Sequence, residues 1–534
     1  MNINPILLEV FKNRFSSICE EMGVALTRTA FSSNIKERRD LSCAVFDPNA
    51  QMIAQAAHIP VHLGSMPLSV KAAIMNKTFE DGDMVMLNDP FQGGTHLPDV
   101  TVLAPVFAGE PDPLFYVANR AHHSDIGGVS PGSMPLSNSI HQEGLIIPPV
   151  KIMRRGEMDE QLLGLILKNV RTPEERRGDF SAQIMANLTG IRRIKELSRK
   201  YGSVMLKTYG RALIDYSARV MQKTITEIPD GKYRFVDHLD DDGLQKSRIP
   251  IKMEMTIEKD RAVLDFSESS DQVPGCVNAV RAITLSCVLY VFRCLTDEDI
   301  PANSGCLRPI TVVTRPGSIL DAKYPAAVTG GNVETSQRIV DVILGALAKA
   351  VPERIPAASQ GTMNNLSIGG KFPGSGQEFS YYETLGGGMG ASMAKNGESA
   401  VHSHMTNTLN TPVEAVEHSY PLRVHAYCLR RDSGGAGKFY GGDGLIREIE
   451  VLVPCDVTVL SERRSTQPYA LHGGVSGSCG ENLVNRDGKW QNRPGKFRDF
   501  LDAGDRLLIR TPGGGGFLPP VPHLLSGFFN DENE

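Results

Sequence analysis

Apolar residues recur at three- and four-residue steps near the start of the chain. Leu7, Phe11, Phe15, Ile18, Met22 and Ala25 fall on one face, the spacing of an amphipathic helix over residues 5–30. Pro5 suits its first turn. The pattern then changes to short apolar runs bounded by turn residues. Runs at 41–46 and 84–87 predict buried strands, and 100–106 with 114–118 predict a strand pair split by a turn at 109–113. If that pair is antiparallel, Asp99 and Asn119 end side by side, and His96 and His123 become neighbours. Residues 119–150 read as a polar loop rich in Gly, Pro, Ser and His. A loop of that length inside a compact domain is a functional signal.

Further along, Thr172-Pro173-Glu174-Glu175 predicts a helix start. Thr172 would cap, Pro173 would take the first position, and Glu175 would complete a capping box. Helical periodicity continues over 174–227 with a break near Gly202. Strand-like runs at 233–237, 249–257 and 262–266 predict an antiparallel sheet, and helices return at 278–295 and 335–350. Beyond Pro352 the chain is Gly-rich and strand-like. Runs at 448–453 and 456–461 flank Pro454-Cys455 and predict a hairpin. The expected fold is therefore α+β (mixed α/β) and multidomain, with largely antiparallel and mixed sheets and packed helices. Four parts are expected: an N-terminal domain over 1–170 carrying the chemistry, a helical segment over 171–228, a middle α/β domain over 229–355, and a Gly-rich β domain over 356–534. The tail at 530–534 is acidic and expected to be loose.

Composition narrows the function classes. A chain of 534 residues exceeds one hydrophobic core. A net charge of −5 gives no reason to expect nucleic acid or an anionic membrane as partner. The start lacks the basic and apolar regions of a signal peptide, and the apolar stretch at 282–292 is too short to span a bilayer. Nine scattered cysteines without a CxxC pair fit a reducing cytoplasm.

Candidate chemistry is concentrated. Four of the 13 histidines, His96, His122, His123 and His141, fall in one short segment. His96-x-x-Asp99 and His123-x-Asp125 supply imidazoles and carboxylates from two loops, a donor set for Mn²⁺, Fe²⁺ or Zn²⁺. Structural zinc sites favour thiolates instead. The local pattern leaves open which of His122 and His123 is the ligand. Asp89, Glu143 and His141 are expected to orient ligands, with His122 or Glu143 moving protons. His402-Ser403-His404 is a second pair that could supply ligands from a strand. Gly128-Val129-Ser130-Pro131-Gly132 fits GxSxG, but Pro131 lacks the N–H that an oxyanion hole needs. The Gly clusters match no phosphate-binding loop, so nothing marks this chain as the nucleotide binder.

The same residues carry a family likeness. NDPFQGGTHLPD at 88–99, AHHSDIGG at 121–128, QEGLIIPPVK at 142–151, GNVETSQR at 331–338, TLNTPVE at 408–414 and TPGGGG at 511–516 resemble the hydantoinase B family, as does SNIKERRD at 33–40 after the first helix. That family joins N-methylhydantoinase B subunits, the matching half of 5-oxoprolinase and α-type subunits of acetone carboxylases. The resemblance implies a divalent metal on this chain, with His96, Asp99, His123 and Asp125 at the ligand positions and the second His open by one residue. His122, Glu143 and Asp89 would serve catalysis. It also implies a separate hydantoinase A-type chain that binds ATP and Mg²⁺, in a hetero-oligomer. The substrate would be a small cyclic amide, hydrolysed with ATP. A ketone to be carboxylated is the alternative, and a non-catalytic scaffold for the A-type chain is a third reading.

Overall fold

The structure is a computed structural model that describes residues 3–56 and 59–520; the acidic tail lies outside the described residues. Its first sheet contains β1 (Leu41–Phe46), β2 (Met52–Gln55), β3 (Met84–Leu87), β4 (Asp99–Val106), β5 (Phe115–His122), β6 (Val150–Arg154) and β7 (Glu157–Met158), in the order β2-β1-β5-β4-β3-β6-β7. Every pairing in it is antiparallel. The strands β1 to β5 are buried on both faces, so they read as apolar runs rather than alternating ones. Alternation still sorts their side chains. Cys43, Val45, Met86, Val102 and Val117 enter the main core, whereas Ala44, Phe46, Val85, Leu103 and Tyr116 enter a smaller one on the opposite face.

Helices cover both faces. The helices of this part and the next are α1 (Pro5–Thr29), α2 (Ser33–Lys36), α3 (Met66–Ile74), α4 (Glu160–Lys168), α5 (Pro173–Tyr201), α6 (Ser203–Thr226), α7 (Arg281–Cys294) and α8 (Ser336–Ala350), of which α1, α3 and α5 lie on this sheet. Helix α1 buries Phe11, Phe15, Ile18 and Met22, the face that its spacing predicts. The Asn4 side chain caps it by accepting from the backbone N–H groups of Ile6 and Leu7. Helices α1 and α5 pack together against the main-core face, and α3 packs on the other. Gly202, at φ 82°, separates α5 from α6, because that backbone region is open to glycine.

A second sheet holds β8 (Gly231–Leu239), β9 (Ile249–Glu258), β10 (Arg261–Asp265) and β11 (Ile310–Val313), in the order β11-β10-β9-β8, with β10 and β11 parallel. Helix α8 lies across β8 and β9. The main core continues from the first sheet through the second sheet and its helices and takes in Tyr382, Met405 and Leu460 of the C-terminal part. The C-terminal part has its own core between two further sheets. One runs Glu378–Glu383, Asn365–Lys371, Cys455–Leu460, Lys496–Leu501; the other runs Leu422–Arg430, Gly444–Val451, Arg506–Arg510, Glu481–Arg486, Lys489–Arg493. Among the described residues, no helix is long and apolar enough to cross a membrane.

Two local expectations are corrected. The strands on either side of Pro454-Cys455 belong to different sheets, so the turn passes the chain between layers and closes no hairpin. Thr172 makes no side-chain cap. The Glu175 carboxylate is drawn instead to Ser124 Oγ at 2.9 Å and to the Arg176 guanidinium, because a buried cation outcompetes a backbone N–H.

The run Gly513–Gly516 shows one reason for glycine in this chain. A Cβ at Gly514 would sit 2.0 Å from the Met389 carbonyl oxygen, and one at Gly441 would sit 2.0 Å from that of Gly514. Backbone packs on backbone here, joined by Gly435 N–H to Gly514 O at 2.8 Å and Gly514 N–H to Gly442 O at 2.9 Å. Gly514→Ala is expected to destabilise the chain by at least about 1–3 kcal/mol, read as a lower urea midpoint. Gly164→Ala, within α4 and with no atom within 4 Å of the new Cβ, should leave stability unchanged or raise it by up to about 1 kcal/mol.

Candidate metal centre

The site is set by the pairing of β4 with β5. Asp99 stands directly opposite His122, so their side chains share a face. The strand runs on past the predicted end at Ala118, and Asn119 lies opposite Val102 instead. Period-two alternation then turns His123 to the other face. There its Nε2 meets Gln183 Oε1 at 3.1 Å and its ring packs on Phe180 at 4.6 Å. Burial, with the nearby Arg176 cation, pushes the His123 pKa down to about 4.

His96 comes from the loop between β3 and β4. Asn88 holds that loop: its Nδ2 donates to the carbonyls of Leu97 at 2.8 Å and Leu145 at 2.9 Å, and its Oδ1 accepts from Ile147 N–H at 2.6 Å. The result is a triangle. His96 Nε2 to Asp99 Oδ1, His122 Nδ1 to Asp99 Oδ1, and His96 Nε2 to His122 Nδ1 each measure 3.2 Å. An ion bound at about 2.0–2.1 Å has ligand–ligand edges of about 2.8–3.0 Å in octahedral and about 3.3–3.4 Å in tetrahedral geometry, which bracket these distances. The spacing therefore fits a divalent cation, as does the donor set of two imidazoles and a carboxylate. His96 and Asp99 are at most 1% exposed and His122 is 3% exposed, so they are not solvated turn residues.

The surroundings complete the arrangement. Thr95 Oγ1 donates to Asp99 Oδ2 at 2.6 Å, and His62 Nε2 lies 3.4 Å from the same oxygen. Ser42 Oγ meets His62 Nδ1 at 2.9 Å. Burial opposes the Asp99 carboxylate, yet His96, His62 and His122 outweigh it and hold its pKa well below the usual range. Burial lowers the His122 pKa, which keeps a lone pair available. Tyr382, from the C-terminal part, stacks on the His122 ring at 4.7 Å and 13°. Its hydroxyl donates to Asn365 Oδ1 at 2.7 Å. Asn332 Nδ2 stands 3.0 Å from His96 Nε2.

Of the residues singled out in the sequence, His96, Asp99 and His122 come together, while His123 and Asp125 do not join them. Asp125 accepts from Gly127 N–H at 3.0 Å and from Arg171 Nη1 at 2.9 Å, tying its loop to the start of α5. Asp89 accepts from Phe91 N–H at 2.9 Å and Gln92 Nε2 at 2.7 Å, capping a short turn. His141 is exposed and meets the Tyr324 hydroxyl at 2.9 Å. Glu143 is fully buried: one oxygen accepts from Ser137 Oγ at 2.7 Å, Val328 N–H at 2.9 Å and Thr329 N–H at 3.1 Å, and the other has no partner. Burial pushes its pKa up to about 7, against those donors and the field of His96. The His402 and His404 rings diverge, one to Asn410 Oδ1 at 3.1 Å and the other to the Tyr290 hydroxyl at 3.3 Å. Ser130 precedes a short turn at Pro131–Ser133 rather than a helix of any length. Sequence reasoning missed His62, Tyr382 and Asn332. Asn332 alone carried a signal, since it lies inside the GNVETSQR run.

The comparisons agree with this architecture. A solved ATP-dependent caprolactamase from Pseudomonas jessenii superposes with a TM-score of 0.91 at 28% identity, covering 98% of this chain and 94% of that one. A nucleotide-free acetone carboxylase structure gives a TM-score of 0.90 at 18% identity over 98% of this chain and 77% of that one, a likeness of fold. A 5-oxoprolinase from Dictyostelium discoideum is 42% identical over 96% of this chain. The chain spans only 40% of that relative's length. The hydantoinase B/oxoprolinase family model matches residues 4–520, and the chain belongs to that family.

Proposed function

We propose that this chain is the metal-carrying part of an ATP-dependent cyclic-amide hydrolase, working in the cytoplasm beside an A-type polypeptide that binds ATP and Mg²⁺. The observation that carries this reading is the 3.2 Å triangle of His96 Nε2, Asp99 Oδ1 and His122 Nδ1. The family, and relatives named for 5-oxoproline and caprolactam chemistry, support cyclic amides as substrates. Two observations support nucleotide binding elsewhere. The glycine runs are filled by neighbouring backbone, which leaves no cradle for phosphates. The 5-oxoprolinase relative also carries much further chain outside the matched part.

The chemistry follows from the inertness of a cyclic amide. Its oxygen attacks the γ-phosphorus of ATP, ADP leaves, and the ring carbon becomes electrophilic. Water then adds to that carbon and the ring C–N bond breaks with a proton passing to nitrogen, and a second water hydrolyses the resulting acyl phosphate to the carboxylate and free phosphate. When bound, a divalent ion of the Mn²⁺, Fe²⁺ or Zn²⁺ type supplies Lewis acidity, polarising a carbonyl or acidifying a water. His96, Asp99 and His122 would hold it. Glu143 has a bare buried oxygen and a pKa near 7, the properties of a group that accepts a proton from water and returns it to the leaving nitrogen. Tyr382 shields His122 from solvent.

Four outcomes are expected. The complex with the ATP-binding polypeptide should release phosphate with 5-oxoproline or a hydantoin; release only with a ketone plus bicarbonate would replace hydrolysis by carboxylation. His96→Ala with Asp99→Ala should reduce metal content and turnover to background while the complex still forms, and full turnover in that variant would make the chain a scaffold. Glu143→Gln should lower kcat by about 10²–10⁴-fold. It should also change the pH dependence of folding. The Glu143 pKa is higher folded, about 7, than unfolded. Its contribution is therefore complete below the unfolded pKa near 4.3 and is lost as pH rises to about 7. Urea titrations across that window should show a shallower fall in stability for Glu143→Gln.

A further inference from the structure

We propose that Asn332 is a further ligand of the ion at this centre, and that its amide turns over when the ion arrives. The proposal rests on the metal-site reading above. Asn332 is 4% exposed, with Nδ2 at 3.0 Å from His96 Nε2. Its Oδ1 is buried without a hydrogen-bond partner. The residue sits on a π-turn, Gly331–Thr335, that leads into α8. Such turns insert one residue and redirect a side chain, often at functional sites.

The turn is held in place from behind. A Cβ at Gly331 would lie 1.8 Å from the Asn278 carbonyl oxygen. Gly330 N–H donates to Cys276 O at 2.8 Å, and the Thr335 hydroxyl donates to Val277 O. The amide is therefore delivered to His96 by a rigid segment, while rotation about its own terminal bond stays free of any bond at Oδ1.

Without an ion, the amide N–H donates to the lone pair of His96 Nε2. A cation takes that lone pair, and the amide hydrogens then face positive charge. A half-turn exchanges Nδ2 for Oδ1, which are nearly isosteric. The oxygen then stands about 3 Å from His96 Nε2, a ligand–ligand edge by the same arithmetic as the triangle. No hydrogen bond is lost at Oδ1 in the exchange. Two imidazoles, a carboxylate and an amide oxygen form a harder set than the triangle alone, which favours an oxygen-preferring ion such as Mn²⁺ over Zn²⁺.

The test uses the full chain with Mn²⁺ or Zn²⁺ alone, measuring affinity by chelator competition and melting with and without ion. For Asn332→Ala we expect Mn²⁺ affinity to fall by about 10–100-fold, Zn²⁺ affinity to fall less, and the ion-free melting temperature to stay unchanged. Asn332→Asp, which offers an anionic oxygen at the same place, should bind Mn²⁺ more tightly than the wild type and alter its Mn²⁺ paramagnetic resonance spectrum. Wild-type Mn²⁺ affinity in Asn332→Ala would overturn the proposal. So would unchanged or weaker affinity in Asn332→Asp, which keeps the question decidable if the alanine variant misfolds. A wild type that binds neither ion, no better than His96→Ala, would overturn the metal site itself.

Discussion

The arrangement depends on one backbone constraint, the register of β4 against β5. Their ladder puts Asp99 opposite His122, and a strand's side chains alternate between faces. A slip of one residue would turn His122 toward the helices and bring His123 to Asp99. The ladder is backed from the helical side. Gln183 and Asn187 of α5 donate to the carbonyls of Val100 and Val102 at 2.8 and 3.0 Å, and Asn119 donates to the Gln183 carbonyl at 2.7 Å. These buried amides read the backbone of β4 and the Asn119 side chain of β5, so a slipped register would leave several polar groups without partners.

Around that pair, the centre gathers groups from three parts of the chain. The N-terminal sheet and its loops give His62, His96, Asp99 and His122, the turn before α8 gives Asn332, and the C-terminal part gives Tyr382. Arg38 fastens the last of these. Its buried guanidinium donates to the Tyr382 carbonyl at 3.1 Å and to Thr384 Oγ1 at 2.8 Å. A second seam joins the middle sheet to the C-terminal part, where Arg463 donates to Asp237 and Asp341, each at 2.6 Å. Breaking one partner of such a pair strands a buried charge. The parts are therefore held in one relation, which a centre drawn from all of them requires.

The buried carboxyls show how position sorts similar groups. Asp99 faces three imidazoles and is held ionised. Asp125 faces Arg171 and serves its loop. Glu143 has hydrogen-bond donors but no paired cation, and burial raises its pKa to about 7. Charge placement, not residue type, separates a carboxylate held among imidazoles, a loop tie and a carboxyl whose pKa lies near neutrality.

The sequence by itself determined the elements with strong periodicity, the break at Gly202 and the two segments that hold His96, Asp99 and His122, because hydrophobic spacing and glycine act over a few residues. It also carried the family, since the runs around these loops stand in order along the chain. It could not choose His122 over His123. Adjacent residues face opposite ways, and the choice follows from where β5 ends and which residue it pairs with. Nor could it separate Asp125 and Asp89 from Asp99, because all three are acidic residues in loops until Arg171 and the turn at Pro90–Gln92 claim two of them. The placing of His62 and Tyr382 was illegible, and that of Asn332 was marked only by the GNVETSQR run. Their place beside His96, Asp99 and His122 comes from packing between segments distant along the chain, and only the tertiary structure decides that.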